Sequence, residues 1–455
     1  MTNAINPGIF KAYDIRGVYP NELSEEAAYK IGQSFAKYSK APEIMVGYDT
    51  RVSYPVLSKA LIEGIIDQGV NVVDIGLTST SCFYYSLAES GLEAGVMITA
   101  SHNSKEFNGM KPMLKDATPL TKEQILELKE LVMGDQISSS TKGQITTKDC
   151  TDDYVKMVRG SLKVKIKPLK VVMDAGNGMA GLYIEKIFSG IGLDLIPIYT
   201  ELDGNFPNHE TNPKLLENRA KLVEKILAEK ANLGFMFDGD ADRLCILDRQ
   251  GEYIDYGLVM ALLSEYLVKN SDKKKVIHEV RTSTIVRDWI ERAGGTVEIT
   301  ECWTIPIKLK MKSDPEVVFG GETSGHYMFR ETHESDDGIF GAMLFLQAIS
   351  AKSQTIDEII AAFKEKYCVL EETNFKMVDM DEAQKIIDNL KKKYSEEGAT
   401  ILEIDGLSVI YPDWWFNLRK SQSEPVIRLN MEANSRNLFE EKSAEVIALI
   451  KSKER

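Results

Sequence analysis

The stretch Thr99-Ala-Ser-His-Asn sets a hydroxyl and an imidazole side by side, directly after the apolar run Ala94 to Ile98. A buried strand over that run would put Ser101 on a loop at the strand's C-terminal end, where open α/β sheets place their chemistry. A serine beside a histidine suggests a hydrolase nucleophile, yet Ser101 lacks the flanking glycines of a nucleophile elbow. His102 is the very next residue, and adjacent side chains are expected to diverge too far to form a simple general-base pair. The plainest alternative is a loop serine that bonds its own backbone.

Three further stretches change that balance. Asp238-Gly-Asp-Ala-Asp-Arg follows the apolar run Leu233 to Phe237. Three carboxylates at alternate positions can converge on one hard cation. An EF-hand loop is excluded, because its sixth and twelfth positions fall on Arg243 and Arg249 in place of Gly and Glu. A divalent metal there would suit phosphoryl transfer. Gly320-Gly-Glu-Thr-Ser-Gly-His exposes a carboxylate, a hydroxyl and an imidazole together, the carboxylate suited to paired sugar hydroxyls. Arg419-Lys-Ser-Gln-Ser-Glu-Pro-Val-Ile-Arg offers a planar fork and two hydroxyls, a good phosphate cradle. Arg16 and Lys111 add positive charge, expected near the loops of the first domain.

The elements that must position these residues alternate. Strand patterns at Ile44 to Gly47, Val70 to Ile75 and Ala94 to Ile98 are separated by helix patterns at Tyr54 to Gln68 and Ser81 to Ala88. That order implies βαβ units and a largely parallel sheet. Residues 134–149 are polar and rich in Ser, Thr and Gly, which reads as a boundary. A second α/β unit starts at Leu169 to Met173, with a helix running to about Gly190 and strands at Asp194 to Ile198 and Leu233 to Phe237. A third begins at Lys275 to Val280 and ends with two helical stretches before Lys366. Strand-turn-helix similarity among Ile44-Met-Val-Gly-Tyr-Asp-Thr-Arg, Lys170-Val-Val-Met-Asp-Ala-Gly and Lys275-Val-Ile-His-Glu-Val-Arg-Thr suggests a repeat. From about residue 370 strands follow one another without helices between them, the mark of an α+β domain. The expected fold is therefore α/β: three similar α/β domains and a C-terminal α+β domain around a cleft. The boundaries fall at 1–150, 151–250, 251–370 and 371–455, with a hinge near 368–374.

The chain has 455 residues, 43% of them apolar, enough for three or four cores. Its formal net charge of −14 argues against nucleic-acid or anionic-membrane binding. No stretch is apolar enough to span a bilayer. Met1 to Phe10 has neither the basic nor the apolar region of a signal peptide. Five scattered cysteines without a C-x-x-C pair are expected to be reduced and structural, in a cytoplasmic protein.

Taken in order, these loops resemble the α-D-phosphohexomutase family, in particular its phosphomannomutase/phosphoglucomutase branch. The resemblance runs from Phe10-Lys-Ala-Tyr-Asp-Ile-Arg-Gly to Leu429-Asn-Met-Glu-Ala and includes Asp203-Gly-Asn-Phe-Pro-Asn-His. It implies a phosphate on Ser101 that passes to a hexose monophosphate. A 1,6-bisphosphate intermediate, also the activator, then turns over and returns the other phosphate. Mannose 6-phosphate and mannose 1-phosphate are the implied pair, with glucose phosphates as alternative substrates. By the same match Asp238, Asp240 and Asp242 bind Mg²⁺ with Ser101, and Lys111, Arg16, His102 and Arg243 take part in catalysis. Glu322 and Ser324 hold the sugar. Arg419, Ser421, Gln422 and Ser423 hold the idle phosphate, and Tyr13, Arg281, His326 and Arg428 complete the substrate site. The resemblance leaves the oligomeric state open.

Three departures stand out. Ser104 replaces a proline after the serine loop, which predicts a less rigid turn. Gln422 replaces an asparagine. Trp303-Thr304 stands four residues before Lys308 where the family has Gly-His, which bears on hexose preference. Two rivals remain: a metal-dependent sugar phosphatase, which would not need the cradle at 419–428, and a silent sugar-phosphate-binding protein, against which Ser101, Lys111 and the three aspartates argue.

Overall fold

The computed structural model describes residues 5–134, 139–421 and 425–451, so Gln422 and Ser423 lie outside the described residues. Two compact units result. The first runs to Ile254 and also holds Lys308–Gly320 and Ser324–Ala351, and the second holds Asp255–Ile307, Gly321–Thr323 and the chain from Lys352.

In the first unit the fully buried apolar run Ala94–Ile98 forms the expected strand. It pairs in parallel with Glu43–Tyr48, which pairs in parallel with Asn71–Leu77. The sheet is mixed, because Phe107–Leu114 runs antiparallel beside Ala94–Ile98 and carries Ile15–Val18 on its other side. Lys111 and Arg16 therefore sit on strands and reach the loops with their side chains. Glu25–Ser39 and Tyr54–Ile66 pack on this sheet, and their apolar faces close a core around Ile44, Val46, Val96 and Ile98. Truncating one of the core isoleucines to alanine would cost about 2–5 kcal/mol. The polar stretch expected as a boundary contributes Ile145–Thr147, an edge strand parallel to Asn71–Leu77.

A second sheet of the same unit orders Leu244–Asp248, Leu233–Phe237, Lys170–Asp174 and Asp194–Ile198. Leu244–Asp248 is antiparallel to Leu233–Phe237, a hairpin partner that the sequence reading did not foresee. The helix expected to run to Gly190 is two short pieces, Met179–Leu182 and Ile184–Phe188. Helix Gly338–Ser350 starts at Asp337, whose side chain accepts from Phe340 N and from the Tyr154 hydroxyl. Burial pushes that carboxyl up to about 7. Phe345 on this helix meets Phe235 edge-on, with ring centroids 5.9 Å apart.

In the second unit Lys275–Glu279 pairs in parallel with Thr296–Thr300. The C-terminal sheet is antiparallel and five-stranded, in the order Cys368–Lys376, Val426–Ala433, Trp414–Lys420, Leu407–Ile410, Thr400–Leu402. Met380–Glu396 and Arg436–Lys451 bury Ile386, Leu390, Val446 and Ile450 against it. The residues expected to hinge, 368–374, lie within the strand Cys368–Lys376, which pairs with Val426–Ala433 and shifts register between Leu370 and Thr373. It is an edge strand of that sheet, with a strand partner on one side only.

Candidate active site

Ser101 follows a strand whose every residue is buried, and its own backbone lies in the left-handed region at φ +50°. That unusual turn aims the side chain back into the protein, and the residue is 3% exposed. The Ser101 hydroxyl donates to Asp238 Oδ2 at 2.8 Å. His102 Nδ1 stands 3.2 Å from the same Oγ, so the adjacent pair meets after all. The positive φ is the reason the expected divergence fails. Burial, followed by the nearby Arg243 and Arg16, pushes the His102 imidazolium far below the usual histidine range, so the ring is neutral.

The loop is gripped from below by a residue that the sequence reading passed over. Arg51 is fully buried and donates to the carbonyls of Ser101 (2.8 Å), Asn103 (2.6 Å), Ser104 (2.7 Å) and Phe107 (2.9 Å). Its Nε reaches Asp49, which also accepts from Thr99 at 2.7 Å. Thr99 Oγ1 in turn accepts from Ser101 N. The turn at Ser104 is thus held by guanidinium bonds in the absence of the family's proline. Arg16 donates to Asn103 Oδ1 and to Asp14, both at 2.6 Å.

The acidic loop meets this serine closely. A Cβ on Gly239 would stand 2.8 Å from Ser101 O, so only glycine allows the approach. Asp238, Asp240 and Asp242 are all buried, and one carboxylate oxygen from each lies within 4.8 Å of the others. Lys111 donates to Asp240 at 2.9 Å and to Asp242 at 2.7 Å, and Thr80 donates to Asp240 at 2.5 Å. Among the described residues Asp240 Oδ1 and Asp242 Oδ1 are buried without a hydrogen-bond partner. Such orphaned oxygens, on three converging carboxylates, fit a hard divalent cation. Burial, then Asp242 and Asp240, push Asp238 well above the usual carboxylate range. Burial would also raise Asp242, but Lys111, His326 and Arg243 outweigh it and hold that carboxyl well below. Lys111 is raised well above the usual lysine value: burial opposes its charge, but Asp240 and Asp242 win.

Arg243 Nε lies 3.1 Å from His326 Nε2, and His326 Nδ1 shares a hydrogen bond with Ser324 Oγ at 2.7 Å, the donor set by the state of the imidazole. Lys308, buried over the Tyr84 ring at 4.1 Å, pairs with Asp336. Asp242, His326 and Asp336 form a second buried group with metal-ligating atoms.

The second unit has a different centre. Arg281 donates through Nε to both oxygens of buried Glu279 at 3.1 Å, and through Nη2 to Glu322 at 3.2 Å. Glu279 also accepts from Thr323 Oγ1 at 2.6 Å. Arg419 donates to Glu372 and stands 4.0 Å from Asp405. Arg428 and Arg281 reach the same Glu372 at 3.6 and 3.7 Å. Ser421 is buried and its backbone N donates to Val426 O.

Within the first unit the fold gathers Ser101, His102, Lys111, Arg16, Arg243, Asp238, Asp240, Asp242, Ser324 and His326. Tyr13 is half-buried in the bend before Ile15–Val18. Within the second it gathers Glu322, Arg281, Arg419 and Arg428. The sequence reading missed Arg51, Asp49, Thr80, Asp336, Glu279 and Glu372, and gave Lys308 no role. Arg51 had a signal: it lies in the polar turn after the strand beside the serine strand. Glu372 had none.

Comparison with known proteins agrees with this geometry. Family models described as phosphoglucomutase/phosphomannomutase, alpha/beta/alpha domains I, II and III match residues 7–136, 152–251 and 257–367. A phosphomannomutase of Escherichia coli K12 is 33% identical over 93% of this chain and 94% of its own length. A phosphoglucomutase of Neisseria gonorrhoeae is 33% identical over 99% and 98%. The crystal structure of a phosphoglucomutase/phosphomannomutase family protein from Burkholderia thailandensis is similar with a TM-score of 0.88 at 30% identity, covering 98% of each chain. With three domain models in order along one chain and full-length relatives at this identity, the chain belongs to the phosphoglucomutase/phosphomannomutase family.

Proposed function

We propose that this chain interconverts mannose 6-phosphate and mannose 1-phosphate, with a phosphate carried on Ser101 and mannose 1,6-bisphosphate as intermediate and activator. The observation that carries the reading is Ser101 Oγ bonded to the first aspartate of a buried three-aspartate loop that also holds Lys111. The phosphoserine P–O bond breaks as a P–O bond forms to a sugar hydroxyl, and that hydroxyl gives up its proton. The bisphosphate then turns end for end, its other phosphate goes to Ser101, and a proton returns to the freed sugar oxygen.

Asp238, Asp240 and Asp242, with a phosphate oxygen on Ser101, are the residues that would hold Mg²⁺. Such an ion neutralises charge on the phosphoryl oxygens. Lys111 and Arg16 supply positive charge and assist proton transfer, with neutral His102 beside Ser101 Oγ and Arg243 braced on His326. Glu322 and Ser324 hold sugar hydroxyls. Arg419, Ser421, Gln422, Ser423 and Arg428 hold the phosphate not being transferred, and Tyr13, Arg281 and His326 complete the substrate site. Four domains at 1–150, 151–250, 251–370 and 371–455 carry these parts.

Among the described residues no helix is long and apolar enough to cross a membrane. Five free cysteines and a phosphorylated substrate support a cytoplasmic setting. The name of the neisserial relative makes glucose phosphates the second reading. Parallel rates on mannose 1-phosphate, glucose 1-phosphate and glucosamine 1-phosphate test the proposal, together with intact mass before and after substrate. Mannose turnover at least equal to that of glucose, with exchange of one phosphate on Ser101, is expected. Preference for glucosamine, or release of phosphate to water without isomer formation, would overturn it.

A further inference from the structure

Arg419 and Arg428 are cross-strand partners, directly opposite each other where Trp414–Lys420 pairs with Val426–Ala433. Like charges in that relation repel, and the sheet tolerates them only with a counter-charge close by. Asp405 stands 4.0 Å from Arg419 at the edge of the interaction range. The carboxylate that touches both arginines is Glu372: Arg419 Nη2 donates to its Oε2, and Arg428 Nη1 lies 3.6 Å from its Oε1. Arg281 Nη1 adds a third contact at 3.7 Å, although Arg281 is already engaged by Glu279 and Glu322.

The placement of Glu372 is built into the backbone. On the strand Cys368–Lys376, Leu370 pairs with Met431 and Thr373 with Leu429, so two residues of one strand face one of the other. Such a bulge re-aims a side chain. The match to the arginines is nonetheless incomplete, because Arg419 Nε and Arg428 Nε are buried with no hydrogen-bond partner among the described residues. A tetrahedral dianion with three accepting oxygens would serve the two forks better than one carboxylate does. Burial would raise the Glu372 carboxyl, but Arg419, Arg281 and Arg428 outweigh it, so the group is charged at neutral pH.

We propose that Glu372 is an internal competitor for the phosphate: it seats on Arg419 and Arg428 when the cradle is empty and must leave them for a phosphate to bind. The inference rests on the reading of Arg419 as the holder of the idle phosphate. A competitor of this kind lowers apparent affinity by the fraction of molecules in which it is seated. It also returns to the arginines when the phosphate departs, which opposes recapture and so favours the net release needed for the bisphosphate to turn around.

The test is calorimetric titration of the full chain with inorganic phosphate, joined to steady-state kinetics. Glu372→Gln keeps shape and one acceptor but removes the charge, and should bind phosphate on the order of tenfold more tightly. Its KM should fall and its kcat should fall with it, a split that a merely bracing residue would not give. Glu372→Asp keeps the charge and should stay within about twofold of the parent. Phosphate binding in Glu372→Gln that is unchanged or weaker would overturn the proposal, as would equal tightening in Glu372→Asp. Arg419→Ala, run alongside, separates the two failures. If it leaves phosphate binding intact, the reading of the cradle is wrong. If it abolishes binding while Glu372→Gln fails to tighten it, only the competitor role falls.

Discussion

The centre of the first unit and the centre of the second are charged in opposite senses. Around Ser101, three buried aspartates face Lys111 and Arg243, and two carboxylate oxygens have no hydrogen-bond partner among the described residues. Around Arg419, three arginines share Glu372, and two guanidinium nitrogens have no hydrogen-bond partner among the described residues. The first centre suits a cation and the second an anion. In an acidic chain, gathering arginines at one place costs nothing elsewhere in solubility, but each needs a counter-charge while the site is empty. The carboxylates of the first centre find theirs in a lysine, and the arginines of the second find theirs in a glutamate.

The comparison breaks most sharply at the serine. Ser101→Ala should lose essentially all steady-state turnover, because no other described hydroxyl donates to Asp238. Normal turnover in a sequence-verified preparation would end the phosphoserine reading. Next in size is the cation that the first centre suits. Chelation should abolish activity reversibly, and Asp240→Asn should weaken metal binding, read by elemental analysis and by the Mg²⁺ concentration needed for half-maximal rate. Full activity in chelator, with no tightly held metal, would leave the three aspartates as a counter-charge for Lys111 alone.

The two centres also differ in how far the sequence reveals them. The aspartates come from one five-residue loop after one buried strand, so local spacing exposes them. The serine loop is legible for the same reason, except for its backbone: nothing local announces φ +50° at Ser101, and the contact with His102 depends on it. The second centre is assembled from strands far apart in the chain. Arg419 shows as part of a loop rich in hydroxyls, whereas Glu372 depends on a bulge, and a bulge depends on the register of the partner strand. For the same reason Cys368–Lys376 reads as a linker when seen alone. Runs of buried apolar residues such as Ala94–Ile98 and Leu233–Phe237 are plain in sequence. Leu244–Asp248 is not, because it follows the acidic loop immediately and closes a hairpin through it.

A smaller effect sharpens the first centre. Arg51 donates to four carbonyls of the serine loop from a fully buried position. Lysine cannot reproduce that fork. Arg51→Lys should destabilise the protein by about 3–5 kcal/mol, the range for breaking a buried charged network, as measured by denaturant unfolding. Thermal and chemical stability equal to the parent would show that the loop holds its shape through Thr99 and Asp49 instead.

The smallest effect belongs to the second centre, and its size follows from geometry. A hexose monophosphate has one phosphate at the end that is not reacting, and the reacting oxygen is positioned only if that phosphate is held. Arg419 is 7% exposed and offers a planar fork, so its bonds to a phosphate are charge-assisted and shielded from water. Such bonds are worth roughly 1.5–3 kcal/mol, which makes the expected rise in KM for Arg419→Ala about tenfold to a hundredfold. The kcat should fall as well, since remote binding energy positions the reacting end. Arg419→Lys keeps the charge but not the fork, and should recover part of the KM and little of the kcat. Phosphate on Ser101, read by intact mass, should survive both substitutions, because it is the hydroxyl's neighbours in the first unit that define its site. Unchanged KM and kcat in Arg419→Ala would remove the cradle from the reaction and return the phosphatase reading to first place.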